Sequence, residues 1–376
     1  MKRFLIAVFS GLVWLNFCLV PSLQASSGKE GASFLDIPVG AGPAALGSAY
    51  TALATDAYAP TWNPGGLGFL KGNEMSGQHL SYLDSINDEY FSIVHPLAEP
   101  SGSATHSGIG FSMQYLTSGD IPQTDGSDNS LGQFSSHWGS YNVSYGRSLN
   151  ESLSLGLTGK WINAEIADVS ANAFAVDLGG LYKFNERLNL AATLTNMGSK
   201  LTFLSSSDSL PLAAHLGFAY ELNTDWTVTT EGVFPQNGLN SFHIGAQWQP
   251  LEAISLRLGY KTDTLSGLSA LAGFTAGIGI HAWGQEFAYA WSPYGDLGNA
   301  QYFSVIIHFG AAQENRRNLI QYKAIKIHRT ARQEDDPDDQ QLSELLSDEP
   351  VHMAQTEHPI KPNPSLHERV RPDMRQ

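Results

Sequence analysis

Eight ionisable residues stand inside segments that otherwise alternate between apolar and polar: Lys160, Asp177, His215, Glu231, His243, Arg257, Glu286 and His308. Histidine beside carboxylate is common material for proton transfer. Here the groups are scattered over many segments, so the reading they favour is a hydrogen-bonded network on one polar face. A second group, Asp120, Asp125 and Asp128, shares the stretch Thr117–Asn129. Its oxygens suit calcium, but a solvated loop is the simpler reading. The sequence contains no glycine-rich phosphate loop, His-Glu-x-x-His pair, Gly-x-Ser-x-Gly elbow or EF-hand loop. The lone cysteine, Cys18, falls in an apolar leader, so the mature chain is expected to lack a thiol. These absences lead us to expect no enzyme activity, no cofactor and no metal.

The elements that must position the eight residues come from periodicity. From about Asn73 to Gly310, stretches of about ten residues alternate and are followed by turns. Leu153, Leu155 and Leu157 interleave with Ser154, Gly156 and Thr158; Phe303, Val305, Ile307 and Phe309 interleave with Ser304, Ile306 and His308. Fourteen such segments are read, centred near residues 78, 92, 110, 141, 157, 177, 191, 215, 230, 244, 256, 274, 288 and 305. The eight ionisable residues phase with the polar side. A charge facing lipid costs up to about 2–4 kcal/mol at mid-bilayer, so that phasing suits a membrane barrel. Connections after even-numbered segments are tight (147–150, 185–186, 223–225, 250–252), and the longest, 117–134 and 199–209, follow odd-numbered ones. Outer-membrane barrels have short periplasmic turns and longer external loops. Tyr82, Tyr115, Trp138, Trp161, Trp226, Trp248, Trp283 and Trp291 fall near segment ends, where interfacial aromatic girdles belong.

Composition agrees with this reading. Charged residues are 15% of the chain, against about 25% in soluble domains. No later stretch is apolar enough for a spanning helix. Met1-Lys2-Arg3, apolar Phe4–Val20 and small Ala25-Ser26-Ser27 form a secretory signal, with residues 1–25 removed. A net charge of −15 argues against nucleic acid as a partner. Lipid offers the backbone no hydrogen bonds, so a sheet in it must close on itself. The expected fold is all-β: a closed 14-stranded antiparallel transmembrane β-barrel over residues 73–310, in lipid of the bacterial outer membrane. The last segment, Gln301–Phe309, ends in an aromatic like the strand signal read by the outer-membrane barrel assembly machinery.

Residues 33–70 do not alternate. They are small, apolar and punctuated by turns, with Pro43 placed to start a helix running to about Asp56. They are expected to fold into the lumen as a plug, with a linker or cap outside the barrel as the alternative. Phe34, Leu35, Pro38 and Gly40 within Phe34–Ala41, then Ala45-Leu46-Gly47, then Trp62, Asn63, Pro64 and Gly65 carry a resemblance. This stretch resembles the start of the PorV/PorQ family, relatives of the FadL-type fatty-acid transporters. Gly42 stands where that family has an arginine, and Gly65 where it has an alanine. The resemblance implies a fourteen-stranded barrel with an N-terminal plug. It implies one of two roles: passage of a hydrophobic or amphipathic small-molecule ligand across the outer membrane, or accessory work in type IX-like protein secretion.

Residues 313–376 are polar and rich in both charge signs, including Glu334-Asp335-Asp336-Pro337-Asp338-Asp339. Such a stretch buries too little apolar surface to fold alone. It is expected to be a disordered periplasmic tail. It reads first as a passive extension, and second as a segment that binds a periplasmic partner or anchors a structural protein.

Overall fold

A computed structural model describes residues 30–83, 85–97, 105–262 and 270–310. The signal expected over 1–25 and the tail expected over 313–376 lie outside the described residues. In chain order the strands are β1 (Asn73–Ser81), β2 (Asn87–Leu97), β3 (Ser107–Thr117), β4 (Ile121–Thr124), β5 (Ser130–Phe134), β6 (Ser136–Ser148), β7 (Leu153–Ile166), β8 (Val169–Asn185) and β9 (Leu188–Gly198). They continue with β10 (Leu201–Phe203), β11 (Ser206–Asp208), β12 (Ala213–Glu221), β13 (Trp226–Pro235), β14 (Ser241–Leu251), β15 (Ile254–Lys261), β16 (Phe274–Ala282), β17 (Gln285–Pro293) and β18 (Asn299–Phe309). Fourteen of them form one closed antiparallel barrel. β4–β5 and β10–β11 are separate hairpins within the two longest connections. Each of the fourteen segment centres read from the sequence falls in a barrel strand. The barrel closes where β1 pairs with β18, from Asn73 opposite Phe309 to Ser81 opposite Gln301.

The two strand faces are sorted inside-out relative to a soluble protein. Val143 is 67% exposed and Leu258 65%, whereas Ser92, Ser112, Thr158 and Asp177 on the opposite rows are fully buried. A greasy exterior with a polar interior is the arrangement of a barrel in lipid. Outward aromatics pair across neighbouring strands: Trp226 stacks on Trp248 near the strand ends, and Tyr141 on Trp161 further along the strands. Two aromatics expected in that girdle turn the other way. Trp138 packs against Phe34 and Phe203, and Tyr82 meets Tyr294 edge-on; both back onto inner apolar clusters. Their strand ends face the barrel mouth, where residues from the N-terminal segment and the loops need apolar cover.

The two barrel ends differ. One carries the tight turns 149–152, 186–187, 222–225, 252–253 and 283–284. The last of these puts Trp283 and Gly284 at φ 53° and 77°, the left-handed pair that a two-residue hairpin needs. The other end carries the 118–135 and 199–212 connections, beside the two-residue link 167–168 and the five-residue links 82–86, 236–240 and 294–298; the nine-residue link 98–106 belongs to the tight-turn end.

Residues 30–70 run along the inner wall. Glu30 bridges to Ser209 in the β9–β12 connection, and Phe34 packs on Trp138, so the segment begins at the long-loop end. It finishes at the tight-turn end, where Leu67 and Leu70 lie against Gly108 and the chain enters β1. The helix expected from Pro43 to Asp56 is much shorter and spans only Ala41–Ala45. Gly47 and Ser48, at φ 65° and 64°, leave the helical region. The amides of Tyr50 and Thr51 then bond to the wall carboxylate of Glu231 rather than to a preceding turn.

Candidate functional site

Two patches of inner-wall glycine seat the segment. At one, Gly146, Gly156 and Gly179 face Asn63 and Pro64; a Cβ on Gly156 would stand 2.2 Å from the Pro64 carbonyl oxygen. At the other, Gly245, Gly259 and Gly277 face Ala45–Gly47; a Cβ on Gly259 would stand 2.0 Å from the Gly47 nitrogen. Only glycine permits such backbone approach. No sequence motif marks these glycines. The available signal was that all six share the inward phase of their strands.

The motif residues hold the segment together. Asn63 is fully buried and accepts from Gly65 N at 3.0 Å, while its Nδ2 donates to Thr51 O at 3.0 Å and to Gly180 O at 3.1 Å. Trp62 Nε1 donates to Val39 O at 2.9 Å. Gly40, at φ 90°, gives its amide to Gln78 of β1. Phe34 is buried among apolar residues at the long-loop end; Leu35 and Pro38 line the cavity beneath it. Pro64 fits over Gly156 and Gly179, and Gly65 lies against the Gly179 carbonyl. Position 42 carries no side chain of its own, yet the Arg257 guanidinium lies against it: a Cβ there would be 3.1 Å from Nη1.

All eight ionisable residues stand on inward rows, and the barrel brings six of them together as three pairs. Lys160 Nζ meets Asp177 Oδ2 at 2.7 Å and Asn196 Oδ1 at 2.8 Å. His215 Nδ1 meets Glu231 Oε1 at 2.9 Å, and Arg257 Nη2 donates to Glu286 Oε1 at 2.7 Å. His243 bonds to Ser241 Oγ at 3.0 Å and sits opposite Glu231 in register. His308 stands apart at the tight-turn end, half exposed, 3.5 Å from Glu74. The paired residues lie on neighbouring or next-but-one strands, and His243 stands next to the His215–Glu231 pair. Among the described residues there is no cluster of three His, Cys, Asp or Glu placed to hold a metal. The Asp125 carboxylate in the 118–135 loop is taken up by its own turn, accepting from Ser127 N, Asn129 N and Asn129 Nδ2 at 2.8–2.9 Å. Those bonds hold it below its ordinary range.

Residues missed in the sequence reading lie in the segment's middle. Glu231 Oε2 accepts the amides of Tyr50 and Thr51 at 3.0 Å, and Glu74 Oε2 accepts that of Ala57 at 3.0 Å. Between these anchors, the Tyr50 hydroxyl donates to Asp56, which also accepts from Tyr58 N at 2.9 Å. Burial pushes the Asp56 carboxyl up to about 6, against the pull of those hydrogen bonds. Tyr50, Tyr58 and Trp62 pack edge-to-face around it. No sequence signal marks Asp56, because its environment exists only once the barrel has closed.

This middle stretch divides the lumen. Towards the long-loop end is a cavity of about 240 Å³, bordered by Ser48, Thr51 and Trp62 of the segment and by His215, Glu231 and His243 of the wall. Towards the tight-turn end is one of about 290 Å³, bordered by Leu46, Tyr50 and Tyr58 of the segment and by Arg257 and Glu286 of the wall. Both lie near the lower end of small-molecule sites, about 300–1,000 Å³.

Comparison with known proteins fits this geometry. The family model described as type IX secretion system protein PorV matches residues 24–231, more than half of the chain. Among solved structures, the CymD monoaromatic hydrocarbon channel is similar at a TM-score of 0.50 and 13% identity, covering 74% of this chain and 99% of its own. A deltaS2 mutant of the TodX monoaromatic hydrocarbon channel gives 0.47 and 13%, covering 71% and 96%. A Pseudomonas aeruginosa FadL homologue gives 0.46 and 10%, covering 75% and 98%. At such identities the likeness is one of fold. No curated protein matches the chain in sequence.

Proposed function

This chain belongs to the family of the type IX secretion system protein PorV, and from that premise we propose that it is an outer-membrane barrel that moves a hydrophobic or amphipathic compound across the membrane. In this reading residues 33–70 are the plug, the eight inward ionisable residues line the lumen, and no chemistry is performed on the compound. The tight-turn end faces the periplasm and the tail over 313–376 extends there. The observation that carries the reading is the divided lumen: two small cavities of mixed apolar and polar lining, stacked on either side of one segment. The fold that the chain shares with CymD, a monoaromatic hydrocarbon channel, is in keeping with it.

The test is direct. Outer-membrane fractions should contain a band whose gel mobility changes on boiling, and the purified protein should carry a lipid or hydrocarbon visible by mass spectrometry. Cells lacking the protein should take up a hydrophobic compound more slowly. A soluble periplasmic protein of unchanged mobility would end the proposal.

A second reading follows from the family description itself: an accessory barrel of a type IX-like secretion system. In that case deletion would leave cargo proteins in the periplasm and uptake unaltered. A structural role anchored through the tail would instead show as lost cell-wall association when residues 313–376 are removed.

A further inference from the structure

The cavity at the tight-turn end has a lining that discriminates between head groups. Its apolar side is made by Pro43, Leu46, Leu53 and Ile306. Its charged groups are Arg257, Glu286 and Glu221. A carboxylate is held in a buried site by charge-assisted donors, most often a guanidinium with N–H groups to spare. Arg257 is already compensated by the wall, and the face it turns to its partners is taken. Its Nε donates to Gln247 Oε1 at 2.7 Å and its Nη2 to Glu286 Oε1 at 2.7 Å. Its Nη1 is shut away from the cavity, with less than 1 Å² of surface, between Gly42 and Gly279. His281 is the remaining ring on this wall, and its Nε2 is buried to the same degree. What the cavity offers a ligand is therefore the Thr227 hydroxyl and the Gln247 amide, since Thr229 and Ser304 are bonded to the inner segment, under a local charge in which two carboxylates outnumber one guanidinium.

We infer that this cavity takes an uncharged, hydroxyl-bearing amphiphile and rejects the carboxylate of the same chain length. The inference rests on the ligand-carrying reading above and names the class of compound. Glu286 is the residue that sets the preference, because it cancels the one cation that would otherwise attract an acid.

The experiment uses the full-length protein in lipid nanodiscs and equilibrium dialysis against decane, 1-decanol and decanoate, at a pH where decanoate is ionised, with empty nanodiscs subtracted. Decanol should bind at least about tenfold more tightly than decanoate, equal to about 1.4 kcal/mol. Ala288→Trp, which fills the cavity, should abolish decanol binding. Glu286→Gln should raise decanoate affinity by about tenfold and so close the gap between decanoate and decanol. Glu221→Gln at the exposed rim should act the same way, more weakly, and serves if the first variant does not assemble. Decanoate binding as tightly as decanol would overturn the head-group inference while leaving the ligand-carrying reading intact. Decanol binding that survives Ala288→Trp would overturn the location. Failure of all three compounds to bind above the empty discs would overturn both.

Discussion

The ends of the inner segment and its middle are held by different physics. Ala45–Gly47 and Asn63–Gly65 sit on glycine patches, where the fit is one of shape and backbone. Residues 48–58 are held by buried carboxylates, Glu231 and Glu74, and carry a carboxyl of their own in Asp56. Shape does not titrate, and carboxylates do. The comparison teaches that the stretch separating the two cavities is also the stretch whose grip depends on protonation and on single hydrogen bonds.

The sharpest way to break this comparison is at Glu231. Glu231→Ala leaves two amides and His215 without their partner in a buried site, and removal of one member of a buried pair costs about 3–5 kcal/mol. A lowered urea midpoint of the boiled-versus-unboiled transition would register it; an unchanged midpoint would show that the middle is not held this way. Gly259→Val attacks one end instead. Its Cβ would meet backbone at 2.0 Å, so the loss should reach the upper part of the roughly 1–3 kcal/mol range of overpacking, and should be equal at pH 5 and pH 7.

Asp56 sharpens the contrast through pH. Its folded-state pKa is raised from 3.8 to about 6, so the protonated form is favoured by folding. The stability linked to that proton is fully present below about pH 4 and is lost as pH rises through about 6. Two units correspond to on the order of 2–3 kcal/mol. Unfolding midpoints from pH 4 to pH 7 should therefore fall in the wild type and fall less steeply in Asp56→Asn. The smallest expected effect is at Trp283→Ala: this turn residue is 91% exposed and touches neither seat, so stability should move by less than about 0.5 kcal/mol. A larger shift would mean that the tight-turn rim takes part in what the comparison assigns to the interior.

The barrel was legible in the sequence because a period of two, kept over fourteen stretches, permits few folds. Leu153, Leu155 and Leu157 declare an outer face without help from neighbours. The seats were not legible as seats, since Gly156 and Gly259 look like any strand glycine until the segment is laid over them. Trp138 and Tyr82 were misassigned for a related reason: an aromatic at a strand end serves lipid or the barrel mouth equally well, and strand phase decides. The short helix at Ala41–Ala45 ended where alanine content would have carried it on, because Gly47 and Ser48 leave the helical region and Glu231, nearly two hundred residues later, takes the amides of Tyr50 and Thr51.

The path of residues 30–70 has a consequence for biogenesis. The chain comes in by one mouth, leaves by the other and only then begins β1, whose partner β18 is the last of the barrel strands in chain order. A finished ring could be entered only by feeding a free chain end through it. The wall must therefore be wrapped around its own beginning, and the β1–β18 zip is the step that makes the lodger permanent.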